Sequence, residues 1–303
     1  MTVSRRNLLS ASLMLSALGT VTGATAQTTS QDVSNKTAKL KFFGQTPDLA
    51  ASTTPYGNNT SHGKTVRAGD VDIYYEVYGS GEPFLVLHGG GVGCSYEMGC
   101  LIDKLREKYR VIVPSTRGHG RSGFGTQPLT YAQKANDVMA VLKAEKVKSV
   151  RIFGFSDGGY AAYKIAEMFP STVKQIITVG AGENIPGLRQ ISIDIEALKQ
   201  ADPEFMAQQM AIMPEPQRWA AWLKSFGDFF NRETISKNIF MKIKCPVLLI
   251  VGELDPNAPM NTVLAAYQQI PDARLAVIPG AGHACFQSHF DAVWEIVRPY
   301  VSM

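Results

Sequence analysis

The sequence runs VRIFGFSDGGYAAYKIAEM from residue 150 to residue 168. Residues 150–153 predict a strand, and residues 157–168 predict a helix. Between them lies Gly154-Phe155-Ser156-Asp157-Gly158, a Gly-x-Ser-x-Gly motif. Glycines there permit a tight turn that raises a serine hydroxyl above the sheet. The strand before the motif and the helix after it favour Ser156 as a nucleophile over a simple helix cap.

Strands and helices alternate on both sides of this stretch. Residues 71–78 alternate in polarity and predict a strand that forms a hairpin with residues 65–68. Further strands are predicted at 84–87, 111–113, 176–179, 247–251 and 275–278, and helices near 96–108, 131–145, 260–269 and 286–300. Because parallel strands need crossover connections, we expect an α/β fold with a mostly parallel, eight-stranded sheet flanked by helices.

The alternation stops between about residues 182 and 242. This segment has no convincing strand, and its helical stretches are rich in aromatic residues and methionine: Met206, Met210, Met213, Trp219, Trp222, Phe226, Phe229 and Phe230. We interpret it as a helical cap, inserted after the sixth strand, over the sheet edge where clefts form in open α/β proteins. Most of these side chains should pack the cap onto the body, and a minority should line a pocket.

A serine nucleophile needs a base, and the base needs an acid that holds it in one tautomer. Asp255 follows the strand at 247–251, and His283 follows the strand at 275–278. Parallel strands end at one edge of the sheet, so both side chains can converge on Ser156. The sequence therefore predicts these three as catalytic residues.

Three other residues compete for the acid and base roles. Glu253 is an alternative acid because it lies nearer the end of its strand. His289 falls inside the predicted final helix, and His119 lies in a different loop, so both are weaker candidates for the base.

A glycine run supplies candidate donors for an oxyanion. His88-Gly89-Gly90-Gly91 follows the strand at 84–87, and glycines let backbone N–H groups approach a substrate carbonyl closely. We predict that the Gly90 and Asp157 N–H groups are the donors, with Gly91 as the alternative. The run fits neither G-x-G-x-x-G nor G-x-x-x-x-G-K, which argues against a nucleotide site.

The carboxylate of Asp157 adjoins the predicted nucleophile and leaves two interpretations open. If it points into the pocket, it would favour substrates with an ammonium group near the acyl carbon. If it binds a neighbouring backbone group or an arginine, its role is structural.

Five ordered motifs in residues 65–300 resemble those of the α/β-hydrolase superfamily. They are the HGGG run, RGHGRS at 117–122, the segment 154–159, GELD at 252–255, and Gly282-His283. The GFSDGG turn and the cap position are most similar to small serine esterases related to valacyclovir hydrolase. The resemblance implies a serine hydrolase that cleaves a small carboxylic ester or lactone through an acyl-enzyme, with no metal or organic cofactor. In many relatives an aspartate stands where this chain has Ser115, so one support of the RGHGRS loop is expected to be missing.

Two other functions fit the same motifs. An aminopeptidase of the proline-iminopeptidase kind shares the predicted fold and catalytic residues. A non-catalytic protein of a different class could use the capped cavity to hold a ligand. The complete Ser, Asp and His set argues against the second.

The first 26 residues predict an export signal. Ser4-Arg5-Arg6-Asn7-Leu8-Leu9 precedes a weakly apolar segment that ends near Val21, and Ala24-Thr25-Ala26 provides small residues for cleavage. We therefore predict a twin-arginine signal at 1–26 and a periplasmic or secreted protein. Residues 27–63 are expected to form a surface arm or a disordered leader, and 64–303 the hydrolase domain.

Composition limits the other partners. The chain has 30 basic and 26 acidic residues, a net charge of +4 and no long basic run, which argues against nucleic-acid binding. No apolar stretch is long enough for an integral membrane span. The four cysteines form no C-x-x-C pair, so we expect no structural zinc site and favour buried free thiols over disulfides. The oligomeric state is left open.

Overall fold

The structure, a computed structural model, describes residues 40–49 and 51–302 and is built around one eight-stranded sheet. In chain order the strands are β1 (Gly63–Ala68), β2 (Val71–Tyr78), β3 (Glu82–Leu87), β4 (Tyr109–Pro114), β5 (Val150–Phe155), β6 (Val173–Val179), β7 (Val247–Gly252) and β8 (Ala273–Ile278). Their order in space is β1-β2-β4-β3-β5-β6-β7-β8. β2 pairs antiparallel with β1 and β4, and all other neighbours are parallel. The predicted α/β fold class is confirmed.

Six helices of the described chain belong to the body, and four lie between β6 and β7. The body helices are α1 (Gly99–Leu105), α2 (Tyr131–Ala144), α3 (Asp157–Met168), α8 (Met260–Gln269), α9 (Cys285–Ser288) and α10 (Phe290–Val301). The cap helices are α4 (Ile195–Ala201), α5 (Pro203–Ile212), α6 (Trp219–Arg232) and α7 (Lys237–Phe240). The predicted insertion after the sixth strand is therefore confirmed. Within the described residues, no helix has the length and apolar character needed to span a membrane.

The final helix differs from its prediction. We expected one helix near 286–300 with His289 inside it, but the chain forms α9 and α10 on either side of that residue. The backbone of His289 has φ −130° and ψ 47°, which lies outside the helical region and breaks the hydrogen-bond ladder.

Both faces of the sheet are covered, which explains the continuous apolar strands. On β3, Leu85 and Leu87 belong to the core that includes α2, α3 and the cap. The alternate residues, Phe84 and Val86, belong to the core on the opposite face, with α1 and α10. All four are fully buried. Successive side chains point to opposite faces, so a strand between two helical layers must be apolar at every position.

The chain before β1 packs more closely than its composition indicates. We predicted a surface arm or disordered leader at 27–63, yet Phe42 and Tyr56 are only 2% and 1% exposed. The N–H groups of Gly57 and Asn59 donate to the carboxylate of Glu76, which is buried in β2. In its described part, the predicted arm therefore contributes to the core. Burial of a few aromatic side chains holds it against the body although most of its residues are polar. The predicted signal at 1–26 lies outside the described residues.

Candidate active site

Ser156 lies at a strained turn between β5 and α3. Its backbone has φ 50° and ψ −115°, values that a non-glycine residue rarely adopts. The turn passes close to β3, because a Cβ atom on Gly158 would lie 2.4 Å from the Leu87 carbonyl oxygen. Only glycine fits there. The Ser156 N–H donates to the Val179 carbonyl at 2.8 Å, which holds the turn against β6.

The structure brings Ser156, His283 and Asp255 together in one hydrogen-bonded chain. Nε2 of His283 lies 2.9 Å from Oγ of Ser156, and Nδ1 of His283 lies 2.8 Å from Oδ2 of Asp255. A carboxylate can only accept, so Nδ1–H donates to Asp255 and Nε2 is left to accept the serine proton. The three residues come from the loops after β5, β7 and β8.

The Asp255 carboxylate is fully buried but well supported. Burial raises its pKa, whereas the hydrogen bond from His283 and the N–H groups of Asn257 and Ala258 lower it, and the net shift is downward. Both N–H groups donate to Oδ1 at 2.8 Å. The carboxyl is therefore ionised at neutral pH and can stabilise a charged imidazole.

None of the three competing residues contacts this chain of hydrogen bonds. Glu253 accepts the Gly280 N–H at 2.9 Å, which closes a turn at the same sheet edge. His119 lies in the RGHGRS loop, with its ring centroid 4.8 Å from that of Trp222. His289 contacts its neighbour Ser288 at the start of α10.

The two predicted oxyanion donors lie side by side at the cavity wall with Ser156. A Cβ atom on Gly90 would lie 2.8 Å from Cβ of Asp157 and 2.2 Å from Cζ of Phe226, so only glycine fits this approach. Within the described part of the chain, the N–H groups of Gly90 and Asp157 donate no hydrogen bond. Both are thus available to a ligand oxygen.

Two side chains that the sequence analysis did not single out hold this loop. His88 Nε2 accepts the Thr116 N–H at 3.0 Å, so Nδ1–H donates to the Gly89 carbonyl at 2.6 Å. Burial lowers the pKa of His88 to about 4, which keeps the ring neutral. Oε1 of Glu97 accepts the Gly89 N–H at 2.6 Å, and burial raises the pKa of this carboxyl to about 8. The position of His88 at the start of the HGGG run is the sequence feature that could have indicated its role in holding the loop.

The Asp157 side chain forms a buried ion pair with Lys134 of α2. Their side chains are 3% and 1% exposed, and the Lys134 ammonium also lies 4.9 Å from the ring centroid of Phe226. Of the two interpretations of Asp157, the structure supports the structural one, with a lysine in place of the expected arginine or backbone partner. Lys134 lies three residues after Tyr131 on the buried face of α2. A charged residue on that face is the sequence feature that could have indicated a buried ion pair.

The cavity above Ser156 has a volume of about 790 Å³. Of the aromatic and methionine residues predicted in the cap, Phe226 and Phe230 line it, and the others pack into the core or against it. Most of its cap wall comes from residues that the sequence analysis did not name: Arg189, Ile191, Ile193, Ala197, Leu198 and Ala201. Phe43, from the chain before β1, completes this wall.

The RGHGRS loop is held despite Ser115. Ser122 Oγ donates to the Ser115 carbonyl at 2.6 Å and accepts the Tyr74 N–H at 2.8 Å. Arg117 forms ion pairs with Asp70 and with a second aspartate on α2. The expected loss of support is therefore offset by a serine and an arginine network.

In residues 40–49 and 51–302, no cluster of three or more His, Cys, Asp or Glu side chains is placed to hold a metal ion. The four cysteines are free thiols, and three of them are buried: Cys94, Cys245 and Cys285. The site has side chains that can activate a hydroxyl, and backbone N–H groups that can stabilise a developing negative charge.

An open, mostly parallel sheet with a helical cap and a serine at the β5–α3 turn defines an α/β hydrolase. The sequence model of the alpha/beta hydrolase family matches residues 84–296. The chain belongs to this family, and it is a hydrolase.

Named relatives agree with this class. The chain is 28% identical over 245 residues to a putative carbamate hydrolase, RutD, of Azorhizobium caulinodans, which covers 71% of this chain and 89% of that one. It is 24% identical over 254 residues to the human serine hydrolase BPHL, covering 77% and 84%. Among solved structures, the esterase EaEST of Exiguobacterium antarcticum superposes with a TM-score of 0.65 and 27% identity, covering 80% of this chain and all of that one.

Proposed function

We propose that this chain is a serine esterase that cleaves a carboxylic ester or lactone through an acyl-enzyme. Ser156 is the nucleophile, His283 the general base and then the general acid, and Asp255 the group that orients His283. The observation that carries the proposal is the 2.9 Å contact between Ser156 Oγ and His283 Nε2, with Asp255 on the opposite ring nitrogen.

The reaction proceeds in two acyl transfers. His283 takes the Ser156 proton as Oγ bonds to the ester carbon, and the carbonyl oxygen becomes an oxyanion near the Gly90 and Asp157 N–H groups. The C–O bond to the alcohol then breaks, and the alcohol leaves with the proton from His283. Water, deprotonated by His283, attacks the acyl-enzyme and releases the acid and Ser156. One oxyanion donor contributes about 3–4 kcal/mol to such a reaction.

The charges of the site favour an esterase over an aminopeptidase. An aminopeptidase has to hold a substrate ammonium, which requires an ionised carboxylate in the cavity. The Asp157 carboxylate is already paired with Lys134, and Glu97 is largely protonated at neutral pH. Neither is suited to bind a second cation. Asp194, the third acidic residue of the wall, is exposed and accepts the N–H groups that begin α4.

A fluorophosphonate probe and a substrate panel test the proposal. We expect covalent labelling at Ser156, no labelling of Ser156→Ala, and release of p-nitrophenol from short acyl esters. Release of p-nitroaniline from proline p-nitroanilide, without ester cleavage, would favour the aminopeptidase. Absence of both labelling and turnover in the folded protein would favour the non-catalytic ligand-binding alternative.

A further inference from the structure

Arg189 lines the cavity but has no acidic partner among the described residues. Its Nη2 donates to Tyr160 Oη at 2.7 Å and to Asn184 Oδ1 at 3.1 Å. Both acceptors are neutral: burial raises the pKa of Tyr160, and Asn184 carries an amide. The guanidinium carbon lies 5.0 Å from the ring centroid of Phe230, which forms another part of the cavity wall.

The guanidinium is oriented but not fully bonded. Nε of Arg189 is buried and has no hydrogen-bond partner in the described chain. Nη1 also has no hydrogen-bond partner in the described chain, and unlike Nε it is not buried, so a ligand in the cavity can supply an acceptor there. Contacts with Tyr160, Asn184 and Phe230 fix the side chain, so little conformational entropy is lost when a ligand binds.

Within the described chain, no carboxylate of the cavity wall forms an ion pair with Arg189. The acidic residues of this wall are Glu97, Asp157 and Asp194. Glu97 is largely protonated, and Asp157 is paired with Lys134. Asp194 is exposed and caps α4 with its carboxylate. Among the described residues, no carboxylate contacts the Arg189 guanidinium, which can therefore bind an anionic group in the cavity.

We propose that Arg189 binds a carboxylate carried by the substrate, so that the preferred substrate is an ester with one negative group remote from the bond that is cleaved. The inference rests on the esterase function proposed above. A single guanidinium with neutral partners balances one negative charge, which fits a carboxylate better than a doubly charged phosphate. The apolar walls that include Ile191, Ile193 and Leu198 suit the methylene chain between the two groups.

Half-esters of dicarboxylic acids test this directly. We would measure kcat/KM per ester group for monomethyl esters from succinate to sebacate and for the matching dimethyl esters. A second series, ω-acetoxyalkanoates against alkyl acetates, places the carboxylate on the alcohol side. At the best chain length of one series, the wild-type enzyme should prefer the anionic ester by about 10- to 100-fold, as expected for a charged hydrogen bond.

Variants separate recognition from structural support. Arg189→Gln should bring the ratio of anionic to neutral kcat/KM close to one, and Arg189→Lys should retain part of the preference. The matched control is Lys224→Gln, which removes one exposed charge from the cap and should keep the wild-type ratio. A purely structural Arg189 would lower both rates equally and leave the ratio unchanged.

Three results would overturn the inference. A wild-type ratio near one in both series, or an unchanged ratio in Arg189→Gln, would show that no carboxylate is bound there, while the esterase function would stand. If the folded wild-type protein cleaves none of these esters and is not labelled by fluorophosphonate, the proposed function fails and the inference fails with it.

Discussion

At the scale of single residues, the site depends on a proton path from Ser156 to His283. The two side chains act as one unit, because the hydroxyl is a poor nucleophile until Nε2 accepts its proton. We expect Ser156→Ala and His283→Ala each to lower kcat by about 10⁴- to 10⁶-fold. The double variant should be no slower than either single variant.

Steady-state kinetics on one p-nitrophenyl ester would measure these three rates. If the fold-loss of kcat in the double variant equalled the product of the two single losses, the two residues would not act in one step. Circular dichroism spectra of all variants should match the wild type, since the substitutions remove polar groups at the cavity and leave the core unchanged.

Glu97 makes the stability of the protein dependent on pH. Burial raises its pKa from 4.5 to about 8 in the folded state, so folding retains a proton that the unfolded chain releases. The contribution is fully present below the unfolded pKa and is lost as pH rises through about 8. We expect the thermal midpoint of the wild type to fall by several degrees between pH 6 and pH 9.

Glu97→Gln is the matched variant for this effect, because its amide oxygen can still accept the Gly89 N–H but does not titrate. Its thermal midpoint should change less than that of the wild type over the same range, as measured by differential scanning fluorimetry. Parallel curves for the two proteins would show that Glu97 does not titrate there.

At the scale of elements, one buried ion pair joins α2 to α3 beneath the nucleophile. Lys134→Met would leave the Asp157 carboxylate buried without its cation, and we expect a loss of about 3–5 kcal/mol in the free energy of unfolding. The double variant Lys134→Met with Asp157→Asn should recover much of this loss, because no charge then stays buried. Urea unfolding of both variants measures the difference, and additive losses would contradict the pairing.

Asp202 connects the cap to the chain before β1. Its Oδ1 accepts the Phe205 N–H at 3.1 Å, which caps α5, and the Lys41 ammonium at 2.7 Å. Its Oδ2 accepts the Gly44 N–H at 2.8 Å. Asp202→Ala should cost about 1–2 kcal/mol and increase cleavage by protease within residues 40–49.

The control for this prediction is Asp194→Ala. Asp194 caps α4 in the same manner but has no hydrogen bond to residues 40–49 in the described chain. Limited proteolysis of both variants separates loss of a helix cap from loss of the connection. Equal cleavage within residues 40–49 in the two variants would contradict the role of Asp202.

At the scale of the whole molecule, export by the twin-arginine route stays a prediction from the sequence. Replacement of Arg5 and Arg6 by lysine should keep the charge but reduce export strongly, since the paired arginines are the part that the export machinery reads. Cell fractionation with immunoblotting measures the protein in the periplasm and the cytoplasm. Periplasmic protein at the wild-type level would contradict the prediction.

The strands and the three polar residues of the site follow from the sequence, whereas Lys134 and Arg189 do not. Strands such as β3 and β7 were readable because burial on both faces forces a continuous apolar run. Ser156, Asp255 and His283 were readable because each follows a strand, and parallel strands end at one edge. Lys134 and Arg189 were not identified, because their importance lies in which side chains they meet across the fold.

The sequence by itself thus determined the α/β fold, the sheet edge that holds the site and the three polar side chains placed there, because these depend on local periodicity and chain order. The tertiary structure alone decided that Phe43 lines the cavity, that Asp157 is paired with Lys134, and that Arg189 has no carboxylate partner among the described residues. Charge compensation and cavity shape arise from contacts between residues far apart in the chain, and local patterns do not encode such contacts.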